Sequence, residues 1–401
     1  MGDLSGQGVI SIPASTIVVK NGDLPPSKSH LIRWLLLASI GEKTVEIHGV
    51  DGAANDACAM RDALVQLGVE INVKGDTWTV NGVGSNGFQS PSSELNFHNS
   101  GTALRLLTVA ASNIGEWITI NGDSTLDSRI DREFWESLGI DVVFHSNEEN
   151  LPMKIKGPMK LNELTLDCSK TSQYLSGILL SMPTRNNGVI LTIEGDIVSR
   201  RHAELSFSIA ADCGSPNQFE NPKLNHWKCE PPSSVEIPPD ASHIAFWKLY
   251  EILHGTVVEL PTVHSNDSIG AELLNDINLN EAQTIDLSAS NDLITPLAAA
   301  MAMGGGGTIT GVGHARFKES NRIERTVEML SSFSIIVKST GDGLIVPGNQ
   351  FPNKPVEVVP TFGDHRMQMT AVVLATKVGA QIEGAELHNV SFPRFMDLIQ
   401  P

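Results

Sequence analysis

The sequence predicts an α/β protein built from six related units, and three observations lead to that reading. An apolar segment ends at a glycine and runs into a β-branched, alternating stretch six times, at Gly41, Gly115, Gly188, Gly255, Gly307 and Gly379. Successive glycines lie close to 70 residues apart, with one short interval of 52, and a fixed period of this kind marks a repeat architecture. Several copies then continue into an amphipathic helix and an alternating strand. Finally, the least repeat-like stretch, Gly214–Pro239, is rich in Pro, Asn and Ser and falls between the third and fourth copies. It reads as a connector or surface excursion, which divides the chain into two lobes of three copies each.

The elements follow in order. Arg61–Gly68 carries apolar residues three and four apart and predicts a helix leading into the strand VEINV; Arg132–Gly139 leads likewise into IDVVF, and Arg325–Phe333 into SIIVK. A copy is then a strand–helix–strand–helix–strand unit that cannot bury its apolar faces alone, so stacked copies share cores.

Composition narrows the function. The 401 residues are 41% hydrophobic and 18% charged, ordinary for a globular protein, and the length suggests two or three domains. No apolar run approaches the roughly 18 residues of a membrane span, so no membrane association is expected. The first 20 residues lack a basic head before an apolar core, which predicts no secretion. Cys58, Cys168, Cys213 and Cys229 are scattered, with neither a CxxC pair nor histidines at metal spacing. They read as reduced thiols of a cytoplasmic protein without a disulfide framework or a metal site. A net charge of −18 argues against nucleic acid. Small anions remain open, because a few converging cations dominate the field of a cleft.

Five places share one design, a polar or small turn before a helix whose first residues are cations or free donors. They are Pro25–Arg33 (PPSKSHLIR), Asn99–Arg105 (NSGTALR), Thr171-Ser172-Gln173, Lys318–Arg322 (KESNR) and Asp364-His365-Arg366. A helix start offers unpaired N–H groups and about half a positive charge, so it holds anions. Ser, Thr, Asp and Asn also cap helices that bind nothing. Lys or Arg near a start opposes the dipole, however, and wants a compensating anion. With only 28 basic residues in the chain, this pattern points to a multiply anionic ligand. His30 and His202 read equally as surface histidines or as ligand contacts.

Taken in order, these segments resemble the 5-enolpyruvylshikimate-3-phosphate synthases, whose members carry Lys-Ser followed by Arg, Asn-x-Gly-Thr-x-x-Arg, Ser-Ser-Gln, Lys-Glu-[Ser/Thr]-Asp-Arg and Asp-His-Arg. The resemblance implies a monomeric enzyme without a cofactor. Its fold would be two-lobed and inverse α/β barrel-like, with six βαβαββ repeats, three per lobe, closing around substrates in the interlobe cleft. Residues 24–234 would form the N-terminal lobe, and 1–23 with 235–401 the C-terminal lobe. The implied reaction transfers the enolpyruvyl group of phosphoenolpyruvate to the 5-hydroxyl of shikimate 3-phosphate, and the implied partners are these two small anions alone. Matching positions assign shikimate 3-phosphate to Lys28, Ser29, Arg33, Thr171, Ser172, Gln173, Ser199, Asp292, His314 and Lys318. They assign phosphoenolpyruvate to Lys28, Gly101, Arg129, Gln173, Arg322 and Arg366. Asp292 matches the base at the attacking hydroxyl, and Glu319, with Lys28, the proton route to the methylene carbon.

The chain departs from that pattern at several positions. Asn321 stands for Asp, Thr171 for Ser, His202 for a Tyr over the substrate ring, His314 for Asn, Leu106 for Pro and Ile130 for Pro. Val390 stands where the family has a lysine at phosphoenolpyruvate, and Arg394 is the nearest cation to replace it. Other readings are transfer to another cyclitol or shikimate analogue, and a non-catalytic shikimate 3-phosphate binder. The related UDP-N-acetylglucosamine enolpyruvyl transferase is disfavoured, because no cysteine lies between Cys58 and Cys168 to supply its signature loop.

Overall fold

Strand Thr44–His48 alternates exposed and covered side chains, with Val45 and Ile47 buried, and it shows how each sheet is assembled. It pairs antiparallel with Thr77–Asn81, which pairs antiparallel with Glu70–Lys74, and on its other edge it runs parallel to Ser234–Glu236. The same pattern recurs with Leu95–Asn96 parallel to Ile118–Asn121, followed outward by Met153–Lys156 and Asp141–Val143. A smaller sheet joins Glu163–Asp167, Val189–Glu194 and Lys223–Leu224. The computed structural model describes residues 8–263, 273–274 and 277–399. Its contacts separate two units, Pro26–Pro238 and Met1–Pro25 with Pro239–Pro401.

Within Pro26–Pro238 the helices divide by exposure. Lys28–Ile40, Gly101–Ala111 and Gln173–Ser181 are apolar on nearly every face and pack against one another. A helix hydrophobic all round belongs in a core. Asn55–Gln66, Arg132–Ser137 and Arg200–Asp212 keep one polar side. Leu31, Leu35, Leu36 and Leu37 have no exposed surface, and truncating one such leucine to alanine costs about 2–5 kcal/mol.

The other unit has its own core. Gln283–Asp286 runs parallel to Gly306–Thr310, followed by Leu344–Pro347 and Lys338–Ser339 in the strand order of the sheets above. Val9–Ile12 pairs antiparallel with Ala380–Glu383. The glycine run ahead of this sheet has a steric cause. A Cβ on Gly307, at φ +133°, would lie 1.9 Å from the Gln283 carbonyl oxygen of the neighbouring strand. Buried helices Ile244–His254, Ile294–Met303 and His365–Val378 pack together beside the amphipathic Arg322–Ser332.

Two expectations are corrected. Gly214–Pro239 holds the division between the two units, and it is more than a connector or surface excursion. It supplies the edge strands Lys223–Leu224 and Ser234–Glu236 and buries Leu224, Trp227 and Cys229, because two sheets of this unit need an edge strand from further along the chain. The predicted strand SIIVK is also reduced, with pairing only at Lys338–Ser339. Ser334 turns into the left-handed region at φ 61°, and the Gln350 side chain takes both backbone groups of Ile336. A side-chain amide there replaces a neighbouring strand. Among the described residues no helix is long and apolar enough to cross a membrane.

Candidate active site

All five polar turns open helices, which begin at Lys28, Gly101, Gln173, Arg322 and His365. What surrounds these starts differs between the two units.

In Pro26–Pro238 the N-cap residues Ser27, Ser100 and Ser172 make no side-chain cap bond. Lys28 Nζ meets Asp56 Oδ2 at 2.8 Å, so its compensating anion is the protein's own. Arg33, 1% exposed, donates through Nε to Ser206 Oγ at 2.7 Å and through its terminal nitrogens to the carbonyls of Ser29 and His202. All three acceptors are neutral, and desolvation lowers the guanidinium pKa to about 10. Ser29 therefore enters this network through its carbonyl.

Gly101 is hemmed in by cations. A Cβ there would stand 2.9 Å from one terminal nitrogen of Arg105 and 3.2 Å from one of Arg129, so any side chain would displace a guanidinium. Arg105 donates to Gln173 Oε1 at 2.6 Å and to the Arg129 carbonyl at 2.7 Å, while Gln173 Nε2 donates to Thr102 Oγ1 at 3.0 Å. Arg129 is pinned by the Thr125 and Asn99 carbonyls. Thr171 Oγ1 accepts from the Gln173 amide, and Ser172 Oγ reaches the carbonyl of Ser199. Ser199, left-handed at φ 50°, is the N-cap of helix Arg200–Asp212. His30 is buried, with Nδ1 3.0 Å from Ser27 Oγ, which removes the surface reading for it; His202 is partly exposed.

In the other unit the starts are closed. Asn321 accepts from the Glu324 amide and Asp364 from the Arg366 amide. Arg322, 1% exposed, is gripped by three carboxylates: Asp292 at 2.5 Å, Glu319 at 2.6 Å and Asp364 at 2.8 Å. Desolvation opposes its charge, but the three acids win and hold its pKa well above the ordinary value. Asp364 is fully buried, Glu319 is 11% exposed and Asp292 27% exposed, so one guanidinium orients two accessible carboxylates in different surroundings. Arg366 donates to Ser242 Oγ at 2.9 Å and lies 3.7 Å from Asp292 Oδ2. Ser242 Oγ in turn donates to Asp240 at 2.6 Å. Burial works against the Asp240 charge, yet the hydrogen bond and charge of His243 keep its carboxyl well below the usual range.

His314 is buried with Nε2 2.5 Å from Asn291 Nδ2, and burial, then Lys318, push it down to about 4. Lys318 ends the short turn Gly313–Phe317. Val390 is partly buried and Arg394 exposed. Reading the sequence left Asp56 and Asp240 unmentioned and placed Asp364 only in a polar turn before a helix. Each sits at the cap or in the first turn of a helix, a signal that ordinary capping also produces.

These features define a mixed α/β protein whose helix starts and buried guanidiniums suit small anionic ligands. A family model for EPSP synthase (3-phosphoshikimate 1-carboxyvinyltransferase) matches residues 18–399, and the chain belongs to that family. The 3-phosphoshikimate 1-carboxyvinyltransferase of Methanothermobacter thermautotrophicus is 26% identical over 412 residues, covering 94% of this chain and 96% of that one. The protein of the same description from Methanobrevibacter smithii is 28% identical, covering 93% of each. Among solved structures, EPSP synthase from Acinetobacter baumannii superposes with a TM-score of 0.76 over 97% of both chains at 22% identity, which bears out the fold class.

Proposed function

We propose that the protein transfers the enolpyruvyl group of phosphoenolpyruvate to the 5-hydroxyl of shikimate 3-phosphate and releases phosphate. The observation that carries this reading is the family match over residues 18–399, within which Asp292 and Glu319 share the Arg322 guanidinium. Two carboxylates of unequal exposure can divide base and acid work. Asp292, the more open, takes the hydroxyl proton as the oxygen adds to C2 of the enol. Glu319, with Lys28, delivers a proton to C3. The tetrahedral ketal that results expels phosphate as its C3 methyl gives a proton back, which restores the C2–C3 double bond, and cations offset the charge that develops on the leaving phosphate.

Shikimate 3-phosphate is assigned to Lys28, Ser29, Arg33, Thr171, Ser172, Gln173, Ser199, Asp292, His314 and Lys318. Arg33 supports this assignment, because among the described residues its positive charge meets neutral acceptors and no carboxylate. Phosphoenolpyruvate is assigned to Lys28, Gly101, Arg129, Gln173, Arg322 and Arg366, where arginine suits bidentate contact with carboxylate and phosphate. The reading includes a monomer in the cytoplasm, with residues 24–234 as one lobe and 1–23 with 235–401 as the other. Phosphate release tests it. Release should require both substrates together, and a protein that binds shikimate 3-phosphate yet releases nothing would overturn transfer in favour of a binding role.

A further inference from the structure

Arg366 is held by a short turn at the start of a buried helix. Asp240 opens the turn Ala241–His243 and accepts from the Ser242 amide at 3.0 Å, which is ordinary capping. Capping does not explain the rest. The Ser242 hydroxyl also donates to Asp240 Oδ1, at 2.6 Å, and His243 Nδ1 lies 3.6 Å from the same oxygen. Arg366 joins through both ends of Ser242, donating to its Oγ at 2.9 Å and to its carbonyl at 3.4 Å.

The single hydroxyl hydrogen sets the direction of these bonds. Asp240 takes it, so toward Arg366 and toward Nδ1, 3.5 Å away, Ser242 Oγ can only accept. Nδ1 therefore faces two acceptors, Asp240 Oδ1 and Ser242 Oγ, and carries a proton. The imidazole is itself fixed. His243 has no exposed surface, its Nε2 is 3.1 Å from Ser391 Oγ, and its ring meets Phe392 edge-on with centroids 5.3 Å apart. Burial opposes the Asp240 charge, and the hydrogen bond and charge of His243 hold it, ahead of the charge of Arg366.

Asp292 shows what this hold prevents. Its Oδ2 lies 3.7 Å from Arg366, outside hydrogen-bond reach. A buried guanidinium released from Ser242 would close on that carboxylate, as Arg322 does, and its donors would be lost to an incoming anion. We propose that His243 is a positioning residue, which by fixing Asp240 and Ser242 keeps Arg366 off Asp292 and set for the anionic groups of phosphoenolpyruvate. This rests on the reading of Arg366 as a phosphoenolpyruvate group.

Two substitutions separate positioning from packing. His243→Asn puts an amide N–H where Nδ1–H stood but leaves the aromatic cluster short of a ring, whereas His243→Phe keeps a ring and offers no hydrogen bond. Steady-state phosphate release gives the KM for each substrate, and calorimetric Kd takes its place where no phosphate is released. His243→Phe should raise the KM for phosphoenolpyruvate about 10- to 100-fold, the scale of a misplaced binding group. Its kcat and its KM for shikimate 3-phosphate should stay within about threefold of wild type, because saturating phosphoenolpyruvate draws Arg366 back. His243→Asn should stay within about threefold throughout. Should His243→Phe fold poorly, Ser242→Ala cuts the same connection with little change of volume and should raise the same KM. A phosphoenolpyruvate KM unchanged in folded His243→Phe or in Ser242→Ala, or raised more by Asn than by Phe, would overturn the proposal. A wild type that binds phosphoenolpyruvate but releases no phosphate would overturn transfer instead, and the Kd ratios would then judge His243. A wild type that neither binds it nor releases phosphate would overturn both.

Discussion

Arg33 and Arg322 are equally buried, one in each unit, and they are held in opposite ways. Arg33 leans on a hydroxyl and two carbonyls, and its pKa falls to about 10. Arg322 is clasped by Asp292, Glu319 and Asp364, and its pKa rises. The neighbouring helix starts follow suit. Ser27, Ser100 and Ser172 cap nothing with their side chains, whereas Asn321 and Asp364 do. Burial alone thus says little about a guanidinium. One unit sets its buried guanidinium among neutral acceptors, and the other sets its own among acids that it orients.

The largest expected effect sharpens this contrast at the acid cluster. Asp292→Asn keeps a hydrogen bond to Arg322 but cannot take a proton, so turnover should fall about 10²- to 10⁴-fold with shikimate 3-phosphate affinity largely kept. Near wild-type kcat would remove Asp292 from the base role. Next comes stability. Arg322→Met leaves Asp364 buried and unpaired, which should cost about 3–5 kcal/mol in denaturant unfolding. Arg33→Met abandons only neutral groups and should cost less than about 2 kcal/mol, since apolar replacement of a buried charge is often tolerated. Equal losses in the two variants would break the comparison.

A subtler effect concerns pH. His314 takes a proton at about 4 in the folded protein, against an ordinary value near 6.5, so the unfolded chain binds the proton first as pH falls. Stability should therefore decline from pH 6.5 toward 4, by up to about 3 kcal/mol from this group. His314→Asn should flatten that part of the profile, and an unchanged slope would discount the histidine. The smallest effect is chemical. Burial raises the thiol of Cys168 to about 11, and Cys229 is raised strongly by the Cys213 thiol and by burial. Both should resist a thiol reagent at pH 8 in the folded protein and react on unfolding.

The fold class was legible because periodicity survives in single segments. The helices at Asn55–Gln66, Arg132–Ser137 and Arg322–Ser332 all stand over amphipathic runs. Pairing between distant segments was not legible. Nothing local in Ser234–Glu236 says that it will lie beside Thr44–His48, and nothing in Gln350 says that its amide will satisfy Ile336. The same holds at the candidate site. Motif order singled out Arg33 and Arg322 alike, but their opposite surroundings depend on Ser206, His202 and Asp364, which are remote in sequence. A lysine at a helix start looked in need of an external anion, when Asp56 already supplied one.

The route of the chain also orders its birth. Residues 26–238 contain every strand of their three sheets, the closing strand Ser234–Glu236 included, so this unit has all its parts soon after the ribosome passes Pro238. The other unit pairs Val9 with Glu383, across 374 residues of chain. At about 5–20 residues per second, Val9–Ile12 waits roughly 20–75 s for its partner strand. During that wait Ile12, buried in the finished protein, lacks the strand it pairs with.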